Sequence, residues 1–223
     1  MDTFEHEMER IIKQIQADNR LGTYMDFKLK IPDIIRGSGP IKLIILGQDP
    51  TVKNPNSRST ITHVLNLNKN GSLKNYIEYI CNRLQLKFSE NIYATNLLKN
   101  FFNDPPTTIH KIDIIKEFSK YWLPLLQKEI NQYPNVPIIS LGEPLLSALV
   151  LDGHSKKVRD YWGYHKDWKR GLNNPFRFIL PEHNVLNRAI FPFPHQPSRG
   201  KLFYKERMER YLVFLARECQ EKD

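Results

Sequence analysis

The sequence predicts an α/β fold: a parallel sheet covered by helices on both faces. Three observations predict it. Short apolar runs at 42–46, 91–97 and 137–141 read like strands buried on both faces. Between them lie longer segments whose apolar residues recur at helical spacing. No Pro-, Gly- or Ser-rich linker, repeat or low-complexity tract divides the 223 residues, so the chain reads as one domain.

Taken in order, Phe4, Met8, Ile11, Ile12 and Ile15 mark a first amphipathic helix, with Asp2 as its cap and Glu5 three residues on. Turn signals crowd Arg36-Gly37-Ser38-Gly39-Pro40. The strand at 42–46 follows, then a polar loop from 51 to 62 and an expected strand at 64–67. Leu73, Tyr76, Ile77, Ile80 and Leu84 place a helix from near Ser72. The strand at 91–97 ends at Asn96, and Asp104-Pro105-Pro106 is a turn. Ile112, Ile115, Phe118, Trp122, Leu125, Leu126 and Ile130 form one long core-facing helical stripe. After the strand at 137–141, Pro144 opens a helix to about Leu151. Residues 152–175 read as a basic, aromatic loop. Short strands are expected at 176–180 and 188–191, and Tyr204, Met208, Tyr211, Leu212 and Leu215 give a last helix.

Composition narrows the function. The net charge is +9, and all of the excess falls in 155–217, which holds 14 Lys and Arg against 5 Asp and Glu. A one-sided basic excess suggests an anionic partner, of which nucleic acid is the commonest; the plainer alternative is a solubilising surface. Cys81 and Cys219 stand in no ligand cluster, which argues against a thiolate zinc or iron–sulfur site. No run approaches the roughly 18 apolar residues of a membrane span. The acidic start MDTFEHEMER lacks a signal-peptide core. A cytoplasmic monomer is the expectation.

In open parallel sheets, ligands bind outside the carboxyl ends of the strands. Gly47-Gln48-Asp49-Pro50, Thr95-Asn96 and Pro194-His195-Gln196-Pro197-Ser198 all fall there. Each residue alone has a plainer reading: Asp49 as an Asx turn, Asn96 as a partner for loop backbone, His195 packed among prolines. Together they suit one chemistry. An Asp orients water or stabilises a developing cation. An Asn amide reads an amide-like ring edge with paired hydrogen bonds. A His stabilises a developing anion even when neutral. That set fits cleavage of a bond between a sugar and a nitrogenous base, with no metal and no cofactor. No dinucleotide fingerprint, P-loop or nucleophile elbow occurs.

These residues resemble the uracil-DNA glycosylase superfamily. Gly47-Gln48-Asp49-Pro50 after an apolar strand resembles its first motif, and Asn96-Leu97-Leu98 inside IYATNLLKNF resembles its base-reading strand end. IISLG at 138–142 before a helix resembles another sheet strand. FPHQPSRG at 193–200 resembles the closing His-Pro-Ser loop. The likeness runs in the family's order through a core at 41–217, after a helical extension at 1–40. It implies a three-layer α/β/α architecture around a central four-stranded parallel sheet, with a DNA groove across the strand ends. It implies that Asp49 activates water or stabilises the sugar cation, that Asn96 reads the flipped base, and that His195 stabilises the leaving base. Gln48 would contact the base or the water, and Ser198 would hold DNA phosphates. The implied partner is DNA containing a damaged base, extruded from its stack during base excision repair.

The sequence also departs from that pattern. The family's aromatic residue after Asp-Pro is Thr51 here, which either opens the pocket to thymine or another damaged base or leaves that place to be covered by a different residue. Leu65 stands where an aromatic stacks on uracil, with Phe101 or Phe102 as substitutes. Gln196 separates His195 from Pro197-Ser198, shifting the spacing by one. Arg199 is the candidate wedge into the duplex. Lys156, Lys157, Lys169, Arg170, Arg199 and Lys201 are candidate phosphate contacts. Trp162 and Trp168 either stack on unpaired bases or pack the loop. Three functions compete: a monofunctional glycosylase, a DNA-binding member without useful catalysis, and a hydrolase of free nucleosides. Lys53 and Lys99 are the only amines beside the pocket motifs, so no strand cleavage is expected.

Overall fold

The run Leu43-Ile44-Ile45-Leu46 has no polar side chain to offer water on either face. It lies, fully buried, inside a single five-stranded sheet. The structure is a computed structural model that describes residues 3–220. In chain order the elements are α1 (Thr3–Ala17), β1 (Ile35–Arg36), β2 (Leu43–Gly47), α2 (Ser72–Arg83), α3 (Phe88–Asn91), β3 (Ile92–Asn96), α4 (Ile114–Asn131), β4 (Ile138–Leu141), α5 (Glu143–Leu149), α6 (Val158–Tyr161), β5 (Ile190–Phe193) and α7 (Leu202–Gln220).

The strand order is β1-β3-β2-β4-β5. β3, β2, β4 and β5 are parallel, and their register aligns the carboxyl ends: Gly47 beside Asn96, Leu46 beside Ser140, Leu141 beside Phe193. The expected four strands are therefore joined by a fifth, β1, which runs antiparallel on β3 through only Ile35 and Arg36. Two residues are too short for any periodicity to reveal them.

Helix α4 buries Ile114, Phe118, Trp122, Leu125, Leu126 and Ile130, each worth roughly 1.5–3 kcal/mol of transfer free energy. Its Asp113 cap accepts the Lys116 N–H at 3.1 Å, and it packs against α1 and α5. α7 closes the other end of the chain through aromatic contacts. Tyr211 stacks on Trp162 at 4.3 Å and meets Phe193 of β5 edge-on. The cap expected at Asp2 lies outside the described residues. No helix among the described residues is long and apolar enough to cross a membrane.

Three expected strands differ. Residues 64–67 form a 3-10 turn over Val64–Asn66, because their backbone N–H groups go to the Asp33 and His63 carbonyls instead of a sheet neighbour. The stretch 176–180 pairs only at Ile179, which bridges Ile190. Beyond it, Pro192 offers no N–H, so an outer ladder cannot extend along β5. The strand expected at 188–191 lies two residues on, because its neighbour β4 begins at Ile138, which pairs with Ile190.

Candidate active site

The end of β2 delivers Asp49 into a turn that both chemistry and backbone specify. Pro50 has no N–H, so the next free donor is Thr51, and Asp49 Oδ1 accepts it at 2.7 Å. Gln48 Nε2 donates to Asp49 Oδ2, also at 2.7 Å. The plain Asx turn thus exists, and it fixes the carboxylate's direction. Burial pushes the Asp49 carboxyl up to about 6, against the pull of its bonds from Thr51 and Gln48 and of the Arg58 charge. It is ionised at neutral pH but poised close to titration.

Asn96 ends β3 directly beside Gly47. A Cβ on Gly47 would collide with Asn96 Oδ1 and with Leu65 Cδ2. Glycine alone lets the carboxamide and the Leu65 side chain meet over this strand end. Leu65 and Asn66 both take left-handed backbone, φ 56° and 55°, a strain of about 1–3 kcal/mol per non-glycine residue. Strain of that kind needs a compensating role, and here it seats Leu65 over Gly47.

Asn96 is 0% exposed, and neither its Oδ1 nor its Nδ2 has a hydrogen-bond partner among the described residues. Asn66 Oδ1 and Ser140 Oγ are in the same condition. Each unpaired buried polar group costs about 1–3 kcal/mol. Asn96 presents one acceptor and two donors in fixed geometry, the complement of an amide-like ring edge.

His195 follows β5, across β4 from Asp49. Two strand spacings of about 4.8 Å put the β2 and β5 ends roughly 10 Å apart. His195 is exposed, and the protein atoms around it hold its imidazole below the ordinary value by desolvation, which favours the neutral ring. Gly142, at φ 95°, supports it: a Cβ there would lie 3.4 Å from the His195 Cβ. Ser198 N–H donates to the His195 carbonyl at 2.7 Å, and Lys201 N–H to Ser198 at 3.1 Å. Tyr76 of α2 braces this loop, its hydroxyl 3.4 Å from the Pro194 carbonyl and its ring 5.0 Å below the Arg199 guanidinium.

Gln48 and Thr51 are hydrogen-bonded to Asp49, Asn96 and Leu65 meet at the neighbouring Gly47, and His195, Ser198, Arg199 and Lys201 follow the end of β5. Lys169 and Arg170 stand apart, in the turn Trp168–Arg170, where Trp168 leans on Phe203 of α7. Trp162 is fully buried and donates to the Pro192 carbonyl at 2.6 Å, so it packs the loop and cannot stack on a base. Phe101 and Phe102 are buried as well. The Phe102 ring packs edge-on against Phe118, and its N–H donates to Thr51 Oγ1 at 2.9 Å.

Two supporting roles escape sequence reasoning. Arg58, 4% exposed, donates to the carbonyls of Val52, Phe102 and Asn103, stitching the Asp49 loop to the segment after β3. Nothing in its polar loop marks it. Lys99 is buried against Glu129 at 2.6 Å and Thr95 at 2.5 Å, immediately behind Asn96. Its signal is a lone charge inside Leu-Leu-Lys-Asn-Phe-Phe.

No known protein family and no curated protein matches this sequence.

Proposed function

We propose that this chain is a monofunctional DNA glycosylase that hydrolyses the N-glycosidic bond of uracil or a related damaged base. The observation that carries the reading is Asn96: a fully buried, unpartnered carboxamide one strand away from the half-buried Asp49 carboxylate. In this reading the helices form a layer on each face of the sheet, and the DNA lies across the strand ends.

The roles follow from charge. As the glycosidic bond breaks, its electron pair leaves with the base and the sugar becomes oxocarbenium-like. Ionised Asp49 stabilises that cation and aligns the water that adds to it, and the proton that water loses ends on the departed base. Asn96 holds the ring edge, and neutral His195 donates to the oxygen where negative charge gathers. Thr51 is smaller than an aromatic ring, and its hydroxyl is already tied to Phe102, so the pocket admits a base with an added methyl group. Lys99 is committed to Glu129 and Thr95, which withdraws one of the two neighbouring amines from Schiff-base chemistry and favours water as the nucleophile.

One observation favours a second reading, a DNA-binding protein with little catalysis: Leu65 sits over Gly47 and encloses Asn96. Base release separates the two. Oligonucleotides carrying uracil, a thymine mismatch, hypoxanthine or xanthine, single- and double-stranded, are incubated with wild type and Asp49→Asn. Release of one base, lost in the variant, supports the glycosylase. Salt-sensitive binding with no release from any substrate supports the binding protein.

A further inference from the structure

Away from the strand ends, a cleft of about 350 Å³ opens between the Trp168–Arg170 turn and α7. Trp168, Lys169, Asn173, Glu206, Arg207 and Arg210 line it. Three of these are cations and one is a carboxylate.

Arg207 is the unusual member. It is only 5% exposed, yet among the described residues no carboxylate pairs with it. Its Nε donates to the Trp162 carbonyl at 2.6 Å, and its guanidinium lies over the Phe176 and Phe203 rings at 4.8 and 5.4 Å. The next cation along α7, Arg210, lies over the same Phe176 ring at 5.9 Å. Burial and the Arg210 charge both work against Arg207's proton. Two guanidinium groups over one ring, one of them desolvated, raise the local positive potential and favour an anion in the cleft. Lys169, 6.0 Å above the Trp168 ring, brings a third positive charge to the same opening. An ordinary solvated basic face has neither the burial nor the aromatic scaffold.

We infer that this cleft is a binding site for a phosphate ester, held by Lys169, Arg207 and Arg210, with the attached sugar or base against Trp168. Planar guanidinium forks match tetrahedral oxyanions, and the volume sits at the small end of ligand sites. The phosphate belongs either to a polynucleotide strand or to a free nucleotide. Arg207 and Arg210 stand about 8 and 12 Å along α7 from Leu202, where the His195 loop ends. A strand engaged at the strand ends and running along α7 would reach them. The site itself rests on no catalytic assumption.

The test uses the full chain and an undamaged oligodeoxynucleotide, so base release plays no part. Inorganic phosphate, thymidine 5′-monophosphate and the oligonucleotide are each titrated at low ionic strength, following Trp168 fluorescence and binding heat. The variant Lys169→Gln/Arg210→Gln alters only exposed side chains, and its melting temperature verifies folding. Lys13→Gln/Lys28→Gln removes the same charge from exposed positions elsewhere. The cleft variant is expected to weaken binding at least tenfold while the control variant changes it less than threefold. Nucleotide binding that competes with the oligonucleotide identifies a free ester as ligand, and binding of the oligonucleotide alone identifies a strand. Equal weakening by both variants, or no binding of any probe, would overturn the site.

Discussion

Asp49 carries two opposing demands. Its carboxyl is raised from 3.8 to about 6 because burial outweighs the bonds from Thr51 and Gln48 and the Arg58 charge. A folded-state value above the unfolded one means that the folded protein holds the proton more tightly. Stability is therefore greatest, for this group, below about 4, and is lost as pH rises through about 6. The shift of about two pH units corresponds to roughly 3 kcal/mol. Asp49→Asn keeps an oxygen for the Thr51 N–H and removes the penalty. Its urea midpoint is expected to exceed that of wild type at pH 8, and the two are expected to converge near pH 4. Equal midpoints at pH 8 would show that the carboxylate is better solvated than its surroundings indicate. The placement of Asp49, Asn96 and His195 at strand ends was legible in the sequence because an apolar run leads into each. That Asn96 is sealed under Leu65 was not legible, since it depends on a left-handed turn that no local pattern marks.

At the scale of elements, the end of β3 is held from behind by a buried ion pair. Lys99 and Glu129 are 2% and 7% exposed, and Thr95 donates to the same carboxylate at 2.9 Å. Removing one partner leaves an uncompensated buried charge. Lys99→Met is expected to cost about 3–5 kcal/mol, and adding Glu129→Leu is expected to recover most of it. Chemical denaturation of the three variants checks this; a double variant as unstable as the single one would contradict it. If the pair also positions Asn96, the stable double variant still loses base release. The parallel strands and long helices were readable because burial on both faces leaves continuous Ile and Leu runs. The errors fell on short segments. Residues 64–67 and 176–180 carry strand-like composition but find no ladder, and β1 is too short to have a pattern. Arg58 and Lys99 hide because a charge in a loop reads as solvated until the fold buries it.

On the whole molecule, the basic excess of 155–217 spans the His195 loop, the Trp168–Arg170 turn and α7. Spread in this way, it suits an extended polyanion. Binding of an undamaged duplex should weaken steeply with salt, the slope of log affinity against log salt being close to −0.9 for each phosphate contacted. A salt-independent affinity would direct attention to small nucleosides instead. The composition pointed to such a partner; the structure adds where the cations gather. The most direct measurement is single-turnover base release from a single-lesion duplex between pH 5 and pH 8, for wild type and Asp49→Asn. The expected result is a wild-type rate that climbs as Asp49 ionises, levels above about pH 7, and falls at least about 100-fold in the variant. A wild type that releases no base at any pH, or a variant as fast as wild type, would contradict catalysis by Asp49.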